Sequence, residues 1–205
     1  MQRWKKLLGK QPGQIGQDST FGRLLSIAAA DPAVSTIVEI GTWNGRGSTQ
    51  CILSGLDVSS EKTFVSVEAN RRTYELAKKN LSGSGQVDLV WGSLVDEADL
   101  DTSELTQEEE TWLQQDRESI RLAPNVLETV PNRIDLLLLD GGEFSTHAEF
   151  HFLKDRVTKW LFLDDTRTRK NHKVRDWLHS PAGASFTPVF ESSDRNGWGA
   201  WVVSH

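Results

Sequence analysis

Short apolar runs alternate with helical patterns along the middle of the chain, and this alternation is the feature that most limits its fold. The apolar runs that read as parallel strands are 37–40, 63–67, 87–90, 134–139 and 160–163. Apolar strands separated by helices of about 10–15 residues are typical of βαβ units, whose sheet is covered by helices on both faces. The pattern therefore predicts an α/β fold with a doubly wound, mostly parallel sheet.

The two ends of the chain depart from this alternation. Two strand-like runs, 186–190 and 198–203, are too close together for a crossover helix, so we expect an antiparallel C-terminal hairpin. Residues 1–17 mix basic residues with glycine and proline, and they predict a flexible basic arm that either docks on a partner or is a frayed terminus. Asp18 or Ser19 can cap the first helix. With 205 residues in all, 18–205 is expected to form a single domain.

The composition excludes several classes of protein. At 37% hydrophobic and 25% charged residues, the chain is typical of a soluble globular protein, and its one cysteine cannot form an intrachain disulfide. We expect no nucleic-acid partner, because no basic patch stands out. We also expect no membrane partner, because no apolar run approaches the roughly 20 residues of a membrane span. Without the long apolar stretch of a signal peptide near its start, the chain is expected in the cytoplasm.

The acidic charge of the chain is concentrated in one segment. Ten of the 29 acidic residues fall within 96–118, so the remainder is close to neutral. Leu105, Leu113 and Ile120 recur there near helical spacing, which predicts an acidic helical insertion at about 96–130. Because this insertion would overhang the strand ends, it is either a wall or lid of the substrate site or a solubilising surface excursion.

The first strand runs into a loop that contains glycines. Gly41 and Gly45 allow a sharp turn, and the helix that follows offers unpaired N–H groups to a negatively charged group. The dinucleotide fingerprint G-x-G-x-x-G fails, because Gln50 stands where its third glycine should be. A nicotinamide-dependent oxidoreductase is therefore the weaker alternative, and no lysine follows the glycines as a phosphate-binding Walker loop requires.

The spacing of Glu39, Gly41 and Gly45, E-x-G-x-x-x-G, resembles the first motif of class I S-adenosylmethionine-dependent methyltransferases. An aromatic residue, Trp43, where many members have another glycine, is similar to the small O-methyltransferases related to catechol and macrocin methylation. The resemblance covers about 35–204 and implies a Rossmann-like class I methyltransferase fold that binds S-adenosylmethionine. The cofactor-binding residues that it implies are Glu39, Gly41, Thr42, Trp43, Gly45, Ser48, Glu68, Ala69, Ser93 and Asp140.

Two of these residues end the second and third strands. Glu68 lies about 20 residues beyond the glycines, where a carboxylate can accept hydrogen bonds from both ribose hydroxyls. Ser93 is a candidate for a hydrogen bond to adenine. Trp91 either packs near the adenine or is a core residue.

Three carboxylates end the fourth and fifth strands. Asp140 follows one strand, and Asp164 and Asp165 follow the next. Neighbouring strands lie about 4.8 Å apart, so the three side chains can converge on one ion. Oxygen ligands of this kind suit Mg²⁺ or Mn²⁺. The macrocin O-methyltransferase-like group shares the arrangement, with Asp-Gly-x-x-Tyr-x-Ser-Thr and then Asp-Asp, although Phe144 replaces the tyrosine here.

The catalytic base is left open. The macrocin-like group commonly has an acidic residue where this chain has Gly142, so we consider Glu143 and His147 as bases beside the catalytic Asp140. His151, one helical turn after His147, is expected on a solvated face. The basic residues of 167–175 either meet an anionic substrate group or are solvated surface.

The resemblance implies metal-assisted transfer of a methyl group to a hydroxyl of a small molecule, with a sugar among the candidate acceptors. The missing acid at Gly142 keeps one alternative open, a non-catalytic module that binds a nucleoside or a partner. A homo-oligomer is also left open.

Overall fold

The computed structural model describes residues 13–57, 59 and 61–204, which form seven strands and six α-helices. The strands are β1 (Thr36–Ile40), β2 (Thr63–Glu68), β3 (Asp88–Trp91), β4 (Ile134–Leu139), β5 (Val157–Asp164), β6 (Phe186–Ser192) and β7 (Trp198–Val203). The helices are α1 (Thr20–Ala30), α2 (Ser48–Gly55), α3 (Arg71–Asn80), α4 (Gln107–Leu122), α5 (Thr146–Leu153) and α6 (His172–Leu178).

All seven strands belong to one sheet, in the order β3-β2-β1-β4-β5-β7-β6. Strands β1 to β5 run parallel, whereas β7 pairs antiparallel with both β5 and β6. The predicted α/β fold with its antiparallel C-terminal hairpin is therefore confirmed. The order of the parallel strands reverses between β1 and β4, which is where open sheets of this kind hold their ligands.

The central strands of the sheet are buried on both faces, as their apolar residues require. All six residues of β4 are buried, and its last four, Leu136 to Leu139, alternate between two hydrophobic clusters. Leu137 and Leu139 pack into the cluster that contains Phe150, while Leu136 and Leu138 pack into the one that contains Phe21. The central strands are thus held from both sides, and their carboxyl ends form a rigid edge.

Local signals set the helix boundaries. Ser19 caps α1, since its hydroxyl accepts a hydrogen bond from the Gly22 N–H at 3.0 Å. Thr106 and Glu109 form a capping box at the start of α4. The segment 96–130 therefore contains one helix of 16 residues, which lies between the short 3₁₀ turns Glu97–Asp99 and Leu127–Thr129.

Some predicted boundaries were wrong by a few residues. Strand β5 begins at Val157 rather than residue 160, because Val157 pairs with Ile134 at the start of β4. The helix before it ends at Leu153 and is followed by the 3₁₀ turn Lys154–Arg156. Strand β3 ends at Trp91, one residue later than predicted.

The part of the predicted arm that the structure describes, 13–17, is in contact with the rest of the chain. The Gly13 N–H donates to the Arg46 carbonyl at 3.1 Å, and Ile15 is buried. An apolar side chain of 13–17 therefore reaches the core, and the flexible arm over 1–17 stays a prediction. Residues 1–12 lie outside the described residues. Across the described part of the chain, no helix has both the length and the apolar character that crossing a bilayer requires.

Candidate functional site

A cavity of about 420 Å³ lies at the carboxyl edge of the parallel strands. The loop after β1, the ends of β2 to β5 and one side of α4 form its walls. This position follows from the sheet order, because the loops after β1 and β4 diverge at the point where the order reverses. The described charged residues that line the cavity are Glu68, Asp116, Asp140, Glu149, Asp164, Asp165 and Lys170.

Glu39 is fully buried beneath the loop after β1. Its Oε1 accepts a hydrogen bond from the Ser48 hydroxyl at 2.5 Å, and its Oε2 accepts from the hydroxyls of Thr49 at 2.7 Å and Ser66 at 2.6 Å. Burial raises the pKa of Glu39 above its usual range, although the three hydroxyls oppose this. Since Glu39 is not among the described residues of the cavity wall, it acts by fixing the loop and the start of α2.

Gly41 brings this loop close to the end of β4. It adopts a φ of +99°, and a Cβ atom there would lie 2.1 Å from the Asp140 carbonyl oxygen, so a side chain has no room. Of the remaining predicted loop residues, Thr42, Trp43 and Ser48 line the cavity, whereas Gly45 packs behind the loop against Leu81.

Glu68 lines the cavity at the end of β2. Its Oε1 accepts from the Asn70 N–H and the Thr73 hydroxyl, both at 2.9 Å, and its Oε2 accepts from the Trp43 N–H at 2.7 Å. Burial raises the pKa of Glu68 to about 7. A carboxylate has roughly four acceptor positions, so Glu68 retains capacity for a hydrogen bond from a ligand.

The next predicted contacts follow β2 and β3. Ala69 and Ser93 line the cavity. The Ser93 hydroxyl is already engaged with the backbone of Val95, since it donates to the carbonyl at 2.9 Å and accepts from the N–H at 3.2 Å. Trp91 is not among the described lining residues, and its indole N–H donates to the Ala69 carbonyl at 3.1 Å. This contact favours the packing interpretation of Trp91.

The three aspartates at the ends of β4 and β5 lie together. One oxygen each of Asp140, Asp164 and Asp165 falls within 4.8 Å of the others. The Lys170 ammonium lies 2.8 Å from Asp140 Oδ1 and 2.8 Å from Asp165 Oδ2. The Arg195 guanidinium holds both oxygens of Asp164, with Nη2 at 2.7 Å from Oδ1 and Nη1 at 3.3 Å from Oδ2.

These two cations change what the aspartates can do. Burial and the neighbouring aspartates raise the pKa of Asp164 to about 6. Burial by itself would lower the pKa of Lys170, but Asp140 and Asp165 outweigh it and hold that pKa above its usual range. Because an ammonium already holds two of the three carboxylates, the donor set as folded does not fit a divalent metal ion.

Neither of the two bases considered from the sequence is among the described residues that line the cavity. Glu143 accepts a hydrogen bond from the backbone N–H of Lys170 at 3.2 Å. The ring of His147 packs edge-on against His151, with 4.7 Å between the ring centroids. Both side chains are therefore engaged beside the site.

Asp116 on α4 is a site residue that the sequence reasoning missed. A Cβ atom at Gly142 would lie 2.9 Å from Asp116 Oδ2, so this carboxyl occupies the region where an acidic side chain at position 142 would project. Its Oδ2 accepts from the Phe144 N–H at 3.3 Å, and burial raises its pKa to about 6. A signal was present, because Asp116 shares the buried helical face of Leu113 and Ile120.

Glu149 on α5 is a second missed carboxylate. It is 4% exposed and lines the cavity, and its Oε2 has no hydrogen-bond partner among the described residues. Burial raises its pKa to about 7. A buried oxygen without a partner can accept a hydrogen bond from a donor group of a ligand.

The fold is shared with known methyltransferases, although no protein-family model and no curated protein sequence matches the chain. An O-methyltransferase from Bacillus cereus, solved with S-adenosylhomocysteine, has a TM-score of 0.64 at 16% identity, with 99% of this chain and 88% of that chain covered. A methyltransferase from Geobacter sulfurreducens gives 0.61 at 17% identity, with 92% and 80% covered. The O-methyltransferase TomG from Streptomyces achromogenes, solved with S-adenosylmethionine, gives 0.56 at 17% identity, with 90% and 79% covered. These similarities establish the class I methyltransferase fold.

Proposed function

We propose that this chain transfers the methyl group of S-adenosylmethionine to a hydroxyl of a small molecule. The observation that carries the proposal is the charge of the cavity. Among the described residues, six carboxylates line it, and the cations that face them are Lys170 in the cavity wall and Arg195, which pairs with Asp164. A negatively charged, partly buried cleft attracts a cationic ligand, and S-adenosylmethionine carries both a sulfonium and an ammonium group. Neighbours of the same fold hold this cofactor or its demethylated product.

The cofactor half of the cavity, defined as the ends of β1, β2 and β3, fits a nucleoside. Glu68 retains acceptor capacity for a ribose hydroxyl, and Ala69 and Ser93 form the wall beyond it. Gly41 and Ser48 also line the cavity, and in this proposal they contact the amino-acid part of the cofactor. When bound there, S-adenosylmethionine supplies an electrophilic methyl group.

The acceptor half, defined as the ends of β4 and β5 with the facing side of α4, supplies the proton acceptor. Asp116 lines the cavity and is predominantly ionised above its pKa of about 6. In this proposal the Asp116 carboxylate takes the proton of the acceptor hydroxyl as the oxygen attacks the methyl carbon. The electrons of the carbon–sulfur bond stay on sulfur, which becomes the neutral thioether of the product. Glu143 and His147 are not required for this step.

The acceptor is a small hydroxylated compound, with a sugar among the candidates. The predicted assistance by Mg²⁺ or Mn²⁺ is not part of the mechanism, because Lys170 and Arg195 already hold the aspartates on which it depends. Asp116, Gly142 and Ser145 line the acceptor side of the cavity, where this compound would bind.

Ligand binding and product formation test the proposal in two stages. Calorimetry should show one site for S-adenosylhomocysteine and no binding of NAD at the same concentrations. Incubation with methyl-labelled S-adenosylmethionine and a panel of catechols, sugars and other hydroxylated compounds should then label at least one acceptor. Absence of S-adenosylhomocysteine binding would refute the proposal. Binding without transfer to any acceptor would favour the non-catalytic module.

A further inference from the structure

We infer that the ammonium group of Lys170 takes the place of a divalent cation between the ends of β4 and β5, so that the acceptor half is built to work without metal. This inference rests on the proposed function for its catalytic meaning. Its structural content, an internal cation in a carboxylate cluster, is independent of any methyl transfer.

The position of the ammonium is the first argument. Its nitrogen bridges Asp140 and Asp165, with 2.8 Å to an oxygen of each, and these two strand-end residues belong to the only cluster of potential metal ligands among the described residues. A Mg²⁺ ion needs its oxygens at about 2.0–2.1 Å in an octahedral shell. An ion bridging the same two oxygens would have to displace the ammonium.

Charge compensation is the second argument. Three carboxylates within 4.8 Å of one another repel strongly when ionised. Lys170 is paired with two of them, and Arg195 makes a bidentate contact with the third, Asp164. The two side chains therefore leave one net negative charge on the cluster. A divalent ion added to this arrangement would meet two fixed positive charges at close range.

The ammonium can also perform the positioning role that a metal would have. A lysine ammonium has three N–H donors, and the described contacts of Lys170 Nζ use two of them on Asp140 and Asp165. Lys170 lines the cavity, as does Asp116. The third donor is thus available to an acceptor oxygen, where its positive charge stabilises the anion that forms as Asp116 removes the proton.

Mn²⁺ binding tests this inference, and the test needs no substrate. Wild-type protein, titrated with Mn²⁺ and followed by electron paramagnetic resonance, should show no stoichiometric site. Lys170→Met removes the ammonium and keeps much of the side-chain volume, so it should create one Mn²⁺ site that binds about tenfold more tightly, or better, than any site of the wild type. The matched control is Lys173→Met, because Lys173 pairs with Asp101 outside the cavity and its loss should create no site.

Two results would overturn the inference. One is a stoichiometric Mn²⁺ site in the wild type that Asp165→Asn abolishes. The other is a folded Lys170→Met protein with no gain in Mn²⁺ affinity. If that variant folds poorly, Lys170→Gln replaces it. Mn²⁺ should then raise the melting temperature of Lys170→Gln and not that of the wild type. Absence of this rise also counts against the inference. Failure of S-adenosylhomocysteine to bind would instead reject the proposed function and leave the Mn²⁺ results intact.

Discussion

The two halves of the cavity hold the carboxylates of their strand ends by different means. In the cofactor half, Glu39 and Glu68 accept hydrogen bonds from hydroxyl groups and backbone N–H groups, all of them neutral. In the acceptor half, the aspartates at the strand ends are paired with the charged side chains of Lys170 and Arg195. Neutral donors satisfy a carboxylate without cancelling its charge, whereas ion pairs cancel it.

This difference matches the chemistry proposed for each half. A cationic cofactor is bound more strongly by a carboxylate that no protein cation pairs, and Glu68 carries this charge above its pKa of about 7. An acceptor oxygen that becomes negative during the reaction is stabilised where a fixed positive charge is present. One cavity can therefore serve both partners of the reaction, because the donors change from neutral to charged between β1 and β5.

Removing the proposed proton acceptor should have the largest effect. Asp116→Asn should reduce methyl transfer about 10²- to 10⁴-fold, the usual contribution of general base catalysis. In the wild type, Asp116 is protonated below its pKa of about 6 and cannot accept a proton, so the rate should rise with pH through that region. This rise should be absent from the residual activity of the variant. Initial rates measured from pH 5 to 8 give both quantities.

The control for Asp116 lies on the same helix. Glu118→Gln removes an exposed carboxylate two residues away and should leave the rate unchanged. S-adenosylhomocysteine affinity should be similar in both variants, because α4 faces the acceptor half. An Asp116→Asn protein with full activity would exclude Asp116 as the base and return attention to Glu149, whose pKa is also raised.

Stability measurements compare the two kinds of carboxylate partner directly. Lys170→Met leaves a buried ion pair without its cation and should lower the free energy of unfolding by about 3–5 kcal/mol. Thr49→Val removes a neutral donor from Glu39 and should lower it by about 1–3 kcal/mol. Urea unfolding at pH 7 in metal-free buffer gives both values. If both variants lose the same free energy of unfolding, neutral and charged partners stabilise these carboxylates equally.

Glu68 should carry a smaller effect, on binding alone. At pH 8, above the Glu68 pKa of about 7, Glu68→Ala should weaken S-adenosylhomocysteine binding by about 1.5–3 kcal/mol, the range for a lost hydrogen bond to a charged group. Calorimetry compares it with Glu75→Ala, which removes an exposed carboxylate of α3 that pairs with Arg71 at the surface. If Glu68→Ala binds as tightly as the wild type, Glu68 does not contact the ligand.

The cofactor half could be anticipated from the sequence because its residues follow successive strands over a short stretch. Glu39 and Gly41 lie at the end of one apolar run and Glu68 at the end of the next, so strand identification alone brings them to the same edge. The positions of Asp140, Asp164 and Asp165 were predicted in the same way. The strongly apolar strands made the sheet the most predictable part of the molecule.

The partners of the aspartates could not be anticipated in this way. Arg195 lies 31 positions after Asp164, in the turn between β6 and β7, and no local pattern links the two. Asp116 reaches Gly142 only because α4 packs across the strand ends. Such contacts depend on how helices and turns dock on the sheet, which the periodicity of the chain does not encode.

The smallest expected effect concerns the mobility of the acidic segment. The sequence predicts that 104–118 exchanges its amide protons faster than the strands, and the structure shows what restrains it. Arg169 contacts the Glu109 carboxylate at 2.9 Å, the Ser103 carbonyl at 2.8 Å and the Glu104 carbonyl at 2.9 Å. It therefore ties the start of α4 to the loop after β5.

Loss of the Arg169 contacts should make the start of α4 more mobile and leave the cofactor half unchanged. Arg169→Ala should speed amide exchange several-fold across 104–118, because local opening no longer breaks these contacts, while exchange in β1 and β4 stays as it is. Arg121→Ala is the control, since Arg121 is an exposed residue at the other end of α4. If exchange across 104–118 is as slow as in the central strands even after Arg169→Ala, the segment is a fixed wall, and an acceptor must then enter without its movement.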